Sequence, residues 1–283
     1  MIVLGLSEGY HDAGACLIED GEILSATHAE RLSRKKNDRW LHKKQIHLTN
    51  FAHKIAFHEK TWLKFTRQLY SGQKRINDFF DLDMYEHSYY HHQSHAAAGF
   101  YTSKFDKCNI LVIDAIGEWD TVSVWEGWIN KDKPKMKKVW SRKYPYSIGL
   151  FYSAITKAIG LKPQEDEYIT MGMAAYGEPK YYDQLKDILH YHNCHRGLPY
   201  ILKGYENDIA ASAQLLVEDE IVNIVKEHCH HQNLVMMGGV ALNCVANSRV
   251  ARLGKKIWIM PNPGDCGSAL GAAALAYGKK IKW

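Results

Sequence analysis

Apolar runs and polar turns lay out this chain as two sets of short strands with helices between and after them. Ile2 to Leu6 is apolar, and a polar, glycine-bearing turn containing His11 and Asp12 covers residues 7–14. Residues 15–19 read as a second strand, Asp20-Gly21 as a hairpin turn, and residues 22–29 as a third strand. The pattern recurs from Asn109. Residues 109–114 are a strand, and residues 115–120 an acid- and glycine-bearing turn. Residues 121–128 alternate in polarity, residues 130–138 read as a charged hairpin tip with Pro134, and residues 139–144 as a third strand. A strand–acidic turn–strand–turn–strand unit therefore occurs twice, duplicated in pattern and not in letters. Two such units predict two lobes facing a cleft.

The remaining segments are mostly helical. Residues 40–80 space their apolar positions by three and four, with aromatics suited to packing. Residues 84–90 lead into His91-His92-Gln93-Ser94-His95, and residues 95–100 are a good helix body. Residues 147–160 predict a helix ending on Gly160. Residues 164–179 are mixed, and residues 181–205 read as an irregular insertion. A long amphipathic helix is expected over 208–232, a strand over 234–237 running into Gly238-Gly239, and a helix over 242–252. A strand over 257–260, a loop over 261–265 and an alanine-rich helix over 267–277 close the pattern.

Composition narrows the function classes. A chain of 283 residues with 46% hydrophobic and 24% charged content is ordinary for one large or two small globular units. Lys+Arg 36 against Asp+Glu 31 gives a net charge of +5, which suits phosphate-bearing small molecules but is too weak to argue for direct binding of polymeric nucleic acid. The six cysteines are scattered without paired spacing, which points to reduced, buried thiols. Charged residues come too early for a signal peptide, and no apolar run spans a membrane, so a cytoplasmic protein is expected.

The chemistry centres on the histidine stretch. On a helix His91 and His95 share a face, one turn apart, and two neutral imidazoles so spaced can hold one metal ion. Asp265, in a strand–loop–helix junction with Gly264, is the candidate third ligand. It is also a candidate plain N-cap. Two histidines and one carboxylate suit non-haem iron(II), with zinc and manganese as rivals. The His11-Asp12 turn and the Asp114-Ala115-Ile116-Gly117-Glu118 turn occupy matching places in the two units, where carboxylates and close-approaching backbone favour metal or phosphate. Gly238, Gly239 and Asn243 sit at a strand-to-helix turn suited to a nucleotide. The helix starting near Asp265 offers free N–H groups to an anion.

These motifs resemble the N-terminal catalytic domain of the NodU/CmcH/TobZ O-carbamoyltransferases, a group related to tRNA threonylcarbamoyl-transfer proteins and hydrogenase-maturation carbamoyltransferases. The resemblance runs nearly the whole chain. It includes Tyr10-His11-Asp12-Ala13, Glu30-Arg31-Leu32-Ser33-Arg34-Lys35, His91 to Ala97, Asp114 to Trp119, Gly238 to Asn247 and Pro263 to Gly271.

The resemblance implies an α/β actin-like ATPase fold of the sugar-kinase type, with two ribonuclease-H-like lobes. The lobes are expected at 1–108, with a helical insertion, and at 109–283, forming one catalytic unit. It implies a metal, usually iron(II), on His91, His95 and Asp265, and ATP or carbamoyl-adenylate across Asp114, Gly117, Glu118, Gly238, Gly239, Asn243 and Gly264. His11 and Asp12 match the family's transfer centre. The implied reaction moves a carbamoyl group from carbamoyl phosphate or carbamoyl-adenylate to a hydroxyl of a small molecule: a sugar, an antibiotic or a nucleotide. The basic residues Arg31, Arg34, Lys35, Lys36 and the 64–75 segment suggest a hydroxymethyl-pyrimidine nucleotide. The family's usual second, dehydratase-like domain is not seen before Trp283, so a separate adenylate-forming protein is one expectation and direct use of carbamoyl phosphate the other. Ile169 replaces a usual lysine. The short connections resemble phage-encoded versions of such enzymes. The rival readings are a non-catalytic nucleotide-binding subunit of a split carbamoyltransferase and a tRNA threonylcarbamoyl-type transferase.

Overall fold

In the first unit, β1 (Ile2–Ser7), β2 (Gly14–Glu19) and β3 (Glu22–His28) form an antiparallel meander, and the Asp20-Gly21 turn closes its second hairpin. The computed structural model describes residues 1–9, 11–72, 87–200 and 204–282. After α1 (Ala29–Ser33) and α2 (Lys43–Ile46), β4 (Lys54–Phe57) pairs parallel to β1. Then α3 (Thr61–Ser71) leads to β5 (His87–Ser88), parallel to β4, and to α4 (His91–Thr102). The second unit repeats this plan. Strands β6 (Lys107–Ile113), β7 (Asp120–Asn130) and β8 (Lys133–Lys143) are antiparallel. They are followed by α5 (Ile148–Ala158), α6 (Glu167–Met173), α7 (Tyr182–Tyr191) and α8 (Glu206–His228). Next come β9 (Asn233–Met237), α9 (Cys244–Ala251), β10 (Lys256–Trp258) and α10 (Asp265–Tyr277), with β9 parallel to β6 and β10 parallel to β9. The sheet orders β3-β2-β1-β4-β5 and β8-β7-β6-β9-β10 are the same topology with the same pairing senses. The duplication expected from the strand pattern is present.

Several elements differ from the expectation. Residues 40–80 are not wholly helical, because β4 interrupts them. Ala56 and Phe57 of that strand are fully buried, so it shows no alternation to distinguish it from a short helical turn. The residues expected as a charged tip at 130–138 mostly belong to β8, and the turn is Lys131-Asp132. Its lysines are exposed along an edge strand, where charge discourages pairing with other chains. The irregular insertion over 181–205 contains α7, which buries Leu185, Ile188 and Leu189 at helical spacing. Tyr10, the end of the 40–80 segment, part of the 64–75 basic run, residues 84–86 and residues 201–203 lie outside the described residues.

Two helices join the units. α10 packs on β1 and β2 and α4 packs on β6 and β9, and the two helices pack against each other. This close layer depends on small residues. A Cβ at Gly271 would lie 1.8 Å from the Ser94 carbonyl oxygen, and one at Gly5 would lie 1.9 Å from that of Ala269. Apolar residues of both sheets therefore share one core with α4 and α10, including Val3, Ile18, Phe100, Ile110, Val235 and Leu270. A second core lies on the other face of the second sheet, under α5 and α8. All six cysteines are free, as their spacing led us to expect, but only Cys16, Cys108, Cys194 and Cys229 are buried; Cys244 is exposed and Cys266 partly so. No helix among the described residues is long and apolar enough to cross a membrane.

Candidate functional site

The starts of α4 and α10 meet in the central layer and bring distant side chains together. Ala96 to Ala98 give α4 a strong helical body, and its first N–H, from His91, donates to Glu118 Oε1 at 2.9 Å. Glu118 Oε1 also accepts the Lys60 N–H at 2.8 Å, so the turn between β6 and β7 fixes where α4 begins. Burial raises the pKa of Glu118. At the start of α10, Gly264 is the N-cap residue and Asp265 the first helical residue. The Ser268 hydroxyl bonds the Asp265 carbonyl at 2.5 Å and His58 Nδ1 at 2.8 Å.

His91, His95, Asp114 and Asp265 converge. His91 Nε2 and His95 Nε2 are 3.1 Å apart. Asp114 Oδ2 lies 3.1 Å from His91 Nε2 and 3.2 Å from His95 Nε2, and Asp265 Oδ1 lies 3.3 and 3.2 Å from the same nitrogens. Bonds of about 2.0–2.2 Å from one metal to such donors set neighbouring donors about 3.0–3.6 Å apart, depending on geometry. These four atoms therefore fit one divalent ion. Their ring Nδ1 atoms face away: neither makes a hydrogen bond, although Glu59 Oε2 lies 3.7 Å from that of His91.

The electrostatics agree with a cation site. Burial disfavours charge on His91, yet Asp265 and Asp114 raise its pKa well above the ordinary value. His95 is raised too, against burial, by hydrogen bonds to the same carboxylates. Burial opposes ionisation of Asp114 and Asp265, but the surrounding histidines hold both carboxyls well below the usual range. Without an ion this cluster holds protons in its place. His92 differs. Its Nδ1 bonds the Ser123 hydroxyl at 2.8 Å, and burial, then the charge of His91, lower its pKa.

Beside the cluster lies the turn after β1. His11 Nδ1 donates to Asp12 Oδ2 at 2.8 Å, and His11 Nε2 is 3.7 Å from Asp265 Oδ2. Burial opposes the imidazolium of His11, but Asp265 and then Asp12 raise its pKa to about 9. Burial likewise opposes the Asp12 carboxylate, and hydrogen bonds to His11 and His28 lower its pKa to about 2. Asp12 holds this place with a positive φ of 55°, a backbone state that aspartate tolerates better than most residues. A cavity at the cluster is lined by residues of both units, among them His11, Lys64, Arg67, His91, Gly117 and Asp265.

The remaining expected site residues occupy varied places. Gly117 packs on His92, whose Cδ2 would be 2.9 Å from an added Cβ. Gly238 has a φ of 88° and a Cβ there would meet the Ile113 carbonyl at 2.2 Å, so strand packing alone demands glycine. Gly239 borders the cluster, where an added Cβ would lie 3.4 Å from Asp114 Oδ1, while Gly264 stands open. Asn243 caps α9 by accepting the Ala246 N–H and exchanges two hydrogen bonds with Gln214. Sequence reasoning missed the buried Glu59–Lys64 pair, 2.6 Å apart beside His91, because it follows the unrecognised β4. It also left Asp114 among nucleotide residues, whereas the structure brings it to the two histidines.

A family model described as the carbamoyltransferase N-terminus matches residues 49–201 and 195–274. An uncharacterized protein of Synechocystis is 35% identical over 96% of this chain and 56% of its own length. The nodulation protein NolNO of Sinorhizobium fredii is 27% identical over 97% of this chain and 50% of its own. The chain thus spans about half the length of these relatives. Component A of (R)-2-hydroxyglutaryl-CoA dehydratase from Acidaminococcus fermentans superimposes with a TM-score of 0.56 at 15% identity, covering 98% of both chains, which shows a shared actin-like ATPase fold.

Proposed function

Because the chain belongs to the carbamoyltransferase N-terminus family, we propose that it is a divalent-metal-dependent transferase of a carbamoyl group to a small-molecule hydroxyl. The convergence of His91, His95, Asp114 and Asp265 at ion-compatible distances, with His11 and Asp12 alongside, is the observation that carries this reading. The donor is carbamoyl phosphate or carbamoyl-adenylate, formed with ATP, and residues 1–108 and 109–283 act as one catalytic unit.

In the transfer, the acceptor oxygen attacks the carbamoyl carbon, the bond from that carbon to the phosphate oxygen breaks, and the acceptor proton leaves to His11 Nε2. His91, His95, Asp114 and Asp265 would hold a divalent ion, and that ion would supply Lewis acidity to the transfer. Asp12 fixes the His11 ring by accepting from Nδ1, so Nε2 faces the cavity. Ligation of Asp265 removes the strongest influence raising His11, which favours the neutral base. Arg67 places positive charge at the cavity wall beside the Glu59–Lys64 pair, and Gly239 and Gly264 let a donor phosphate approach backbone closely. The +5 net charge suits anionic ligands, and a hydroxymethyl-pyrimidine nucleotide is one candidate acceptor beside a sugar or an antibiotic.

The test incubates purified protein with iron(II) and either carbamoyl phosphate plus ATP or carbamoyl-adenylate, against sugars, aminoglycosides and hydroxymethyl-pyrimidine nucleotides, with mass detection of carbamoyl adducts. An adduct supports the reading. An adduct from carbamoyl-adenylate but not from carbamoyl phosphate assigns adenylate synthesis to another protein or domain. No adduct from either donor, with tight ATP binding, favours a non-catalytic subunit.

A further inference from the structure

Four titratable side chains run in a line outward from the cluster. Beyond the His11–Asp12 bond, Asp12 Oδ1 lies 3.1 Å from His28 Nε2, and His28 Nδ1 lies 3.6 Å from Glu30 Oε1. Each oxygen of Asp12 and each nitrogen of His28 faces a different partner: Asp12 is hydrogen-bonded from two sides, and His28 is bonded by Asp12 and flanked by Glu30. His28 ends β3, opposite Gly14 in the ladder, and Glu30 stands in the first turn of α1. The other oxygen of Glu30 accepts the Asn37 N–H at 3.3 Å. The side chains of Asp12, His28 and Glu30 are only partly exposed, at 27, 17 and 25%.

Asp12, His28 and Glu30 each offer a donor atom within 4.8 Å of the others, which raises a second cation as a rival. The ring geometry weighs against it. The two carboxylates face opposite nitrogens of His28, whereas a ligating imidazole gives one nitrogen to the ion. Such an arrangement orients groups in series.

We propose that His28 and Glu30 are positioning residues that hold Asp12, through it the His11 ring, and so aim His11 Nε2 at the acceptor. Glu30 fixes the turn of the His28 ring, and His28 Nε2–H occupies Asp12 Oδ1 and leaves Oδ2 for His11. This rests on the reading of His11 as the acceptor-side base, but its first readout does not require that reaction.

The test is nitrogen-15 NMR of histidine-labelled protein, with the His11 ring assigned by its loss in His11→Gln. Wild type should show His11 protonated at Nδ1 with slow solvent exchange. In His28→Ala, and in the isosteric Glu30→Gln should His28→Ala fold poorly, that proton should exchange faster and the ring should populate both tautomers, with zinc binding to the main cluster unchanged. In the transfer assay kcat should fall about tenfold or more with little change in the KM for carbamoyl phosphate, since small misplacement of a base costs rate, and Glu30→Asp should restore part of it. An unchanged His11 ring signal in Glu30→Gln and His28→Ala overturns the proposal. So does a second bound manganese or zinc ion per chain that Glu30→Gln removes. Altered His11 tautomers in protein that transfers no carbamoyl group would leave the positioning intact and sink the transferase reading instead.

Discussion

Asp265 Oδ1 and His95 Nε2 lie 3.2 Å apart although 170 residues separate them. The contact exists because α10, from the end of the chain, packs against α4 and the first sheet, so the starts of both helices face one point. The site is therefore coupled to the tightness of that helix pair.

Gly271→Ala tests the coupling. The added Cβ would meet the Ser94 carbonyl at 1.8 Å, so the helices must part. Overpacking of this kind costs about 1–3 kcal/mol or more, and urea unfolding should show it. Because Ser94 adjoins His95, metal affinity should fall as well. An unchanged unfolding midpoint would contradict the packing described.

Glu59→Gln tests the support behind His91. Glu59 is buried, its oxygens lie 2.6 Å from Lys64 Nζ and 3.7 Å from His91 Nδ1, and Lys64 outweighs burial in keeping it ionised. Removing its charge takes the buried counter-charge from Lys64, and breaking a buried ion pair costs about 3–5 kcal/mol. Loss of an orienting partner weakens metal binding about 10- to 100-fold. Calorimetric titration with zinc should show the weaker site, and unchanged affinity would remove Glu59 from any role in holding His91.

Asp114→Asn distinguishes a four-residue set from a three-residue one. Asp114 lies as near both histidines as Asp265 does, so either substitution should weaken metal binding by a similar factor. Full affinity in Asp114→Asn would restrict the site to His91, His95 and Asp265.

The pattern of polarity made much of this fold legible. Alternation and hairpin signals marked the repeated three-stranded units, and the His91–His95 spacing marked the helix side that meets Asp114 and Asp265. What escaped had local causes. β4 is four residues long with a buried end, and β8 is an edge strand whose lysines imitate a loop. The signal for α7 was present in Leu185, Ile188 and Leu189 but was masked by flanking tyrosines and histidines. The role of Glu118 in starting α4, and the line through His28 and Glu30, arise from contacts between elements that no spacing reveals.

Lys280 offers a pH test away from the site. Its ammonium donates to the carbonyls of Phe100, Ser103 and Phe105 beside the end of α4, and burial lowers its pKa to about 8. Below pH 8 it is protonated both folded and unfolded, and the cost of burying the charge is fully present. From pH 8 to about 10.5 the unfolded chain binds more protons at this residue, so its contribution shifts toward stability with rising pH. Relative to Lys280→Met, the wild type should therefore gain up to about 3 kcal/mol across that interval. A flat difference would show that the carbonyls hold the ammonium at its ordinary pKa.

Metal content measured in wild type and His95→Ala, with circular dichroism confirming the same fold, tests the proposed metal site most directly. Wild type loaded with iron(II) should carry one ion per chain and carbamoylate its acceptor, and His95→Ala should carry none and transfer nothing. Equal metal content in the two proteins would contradict it.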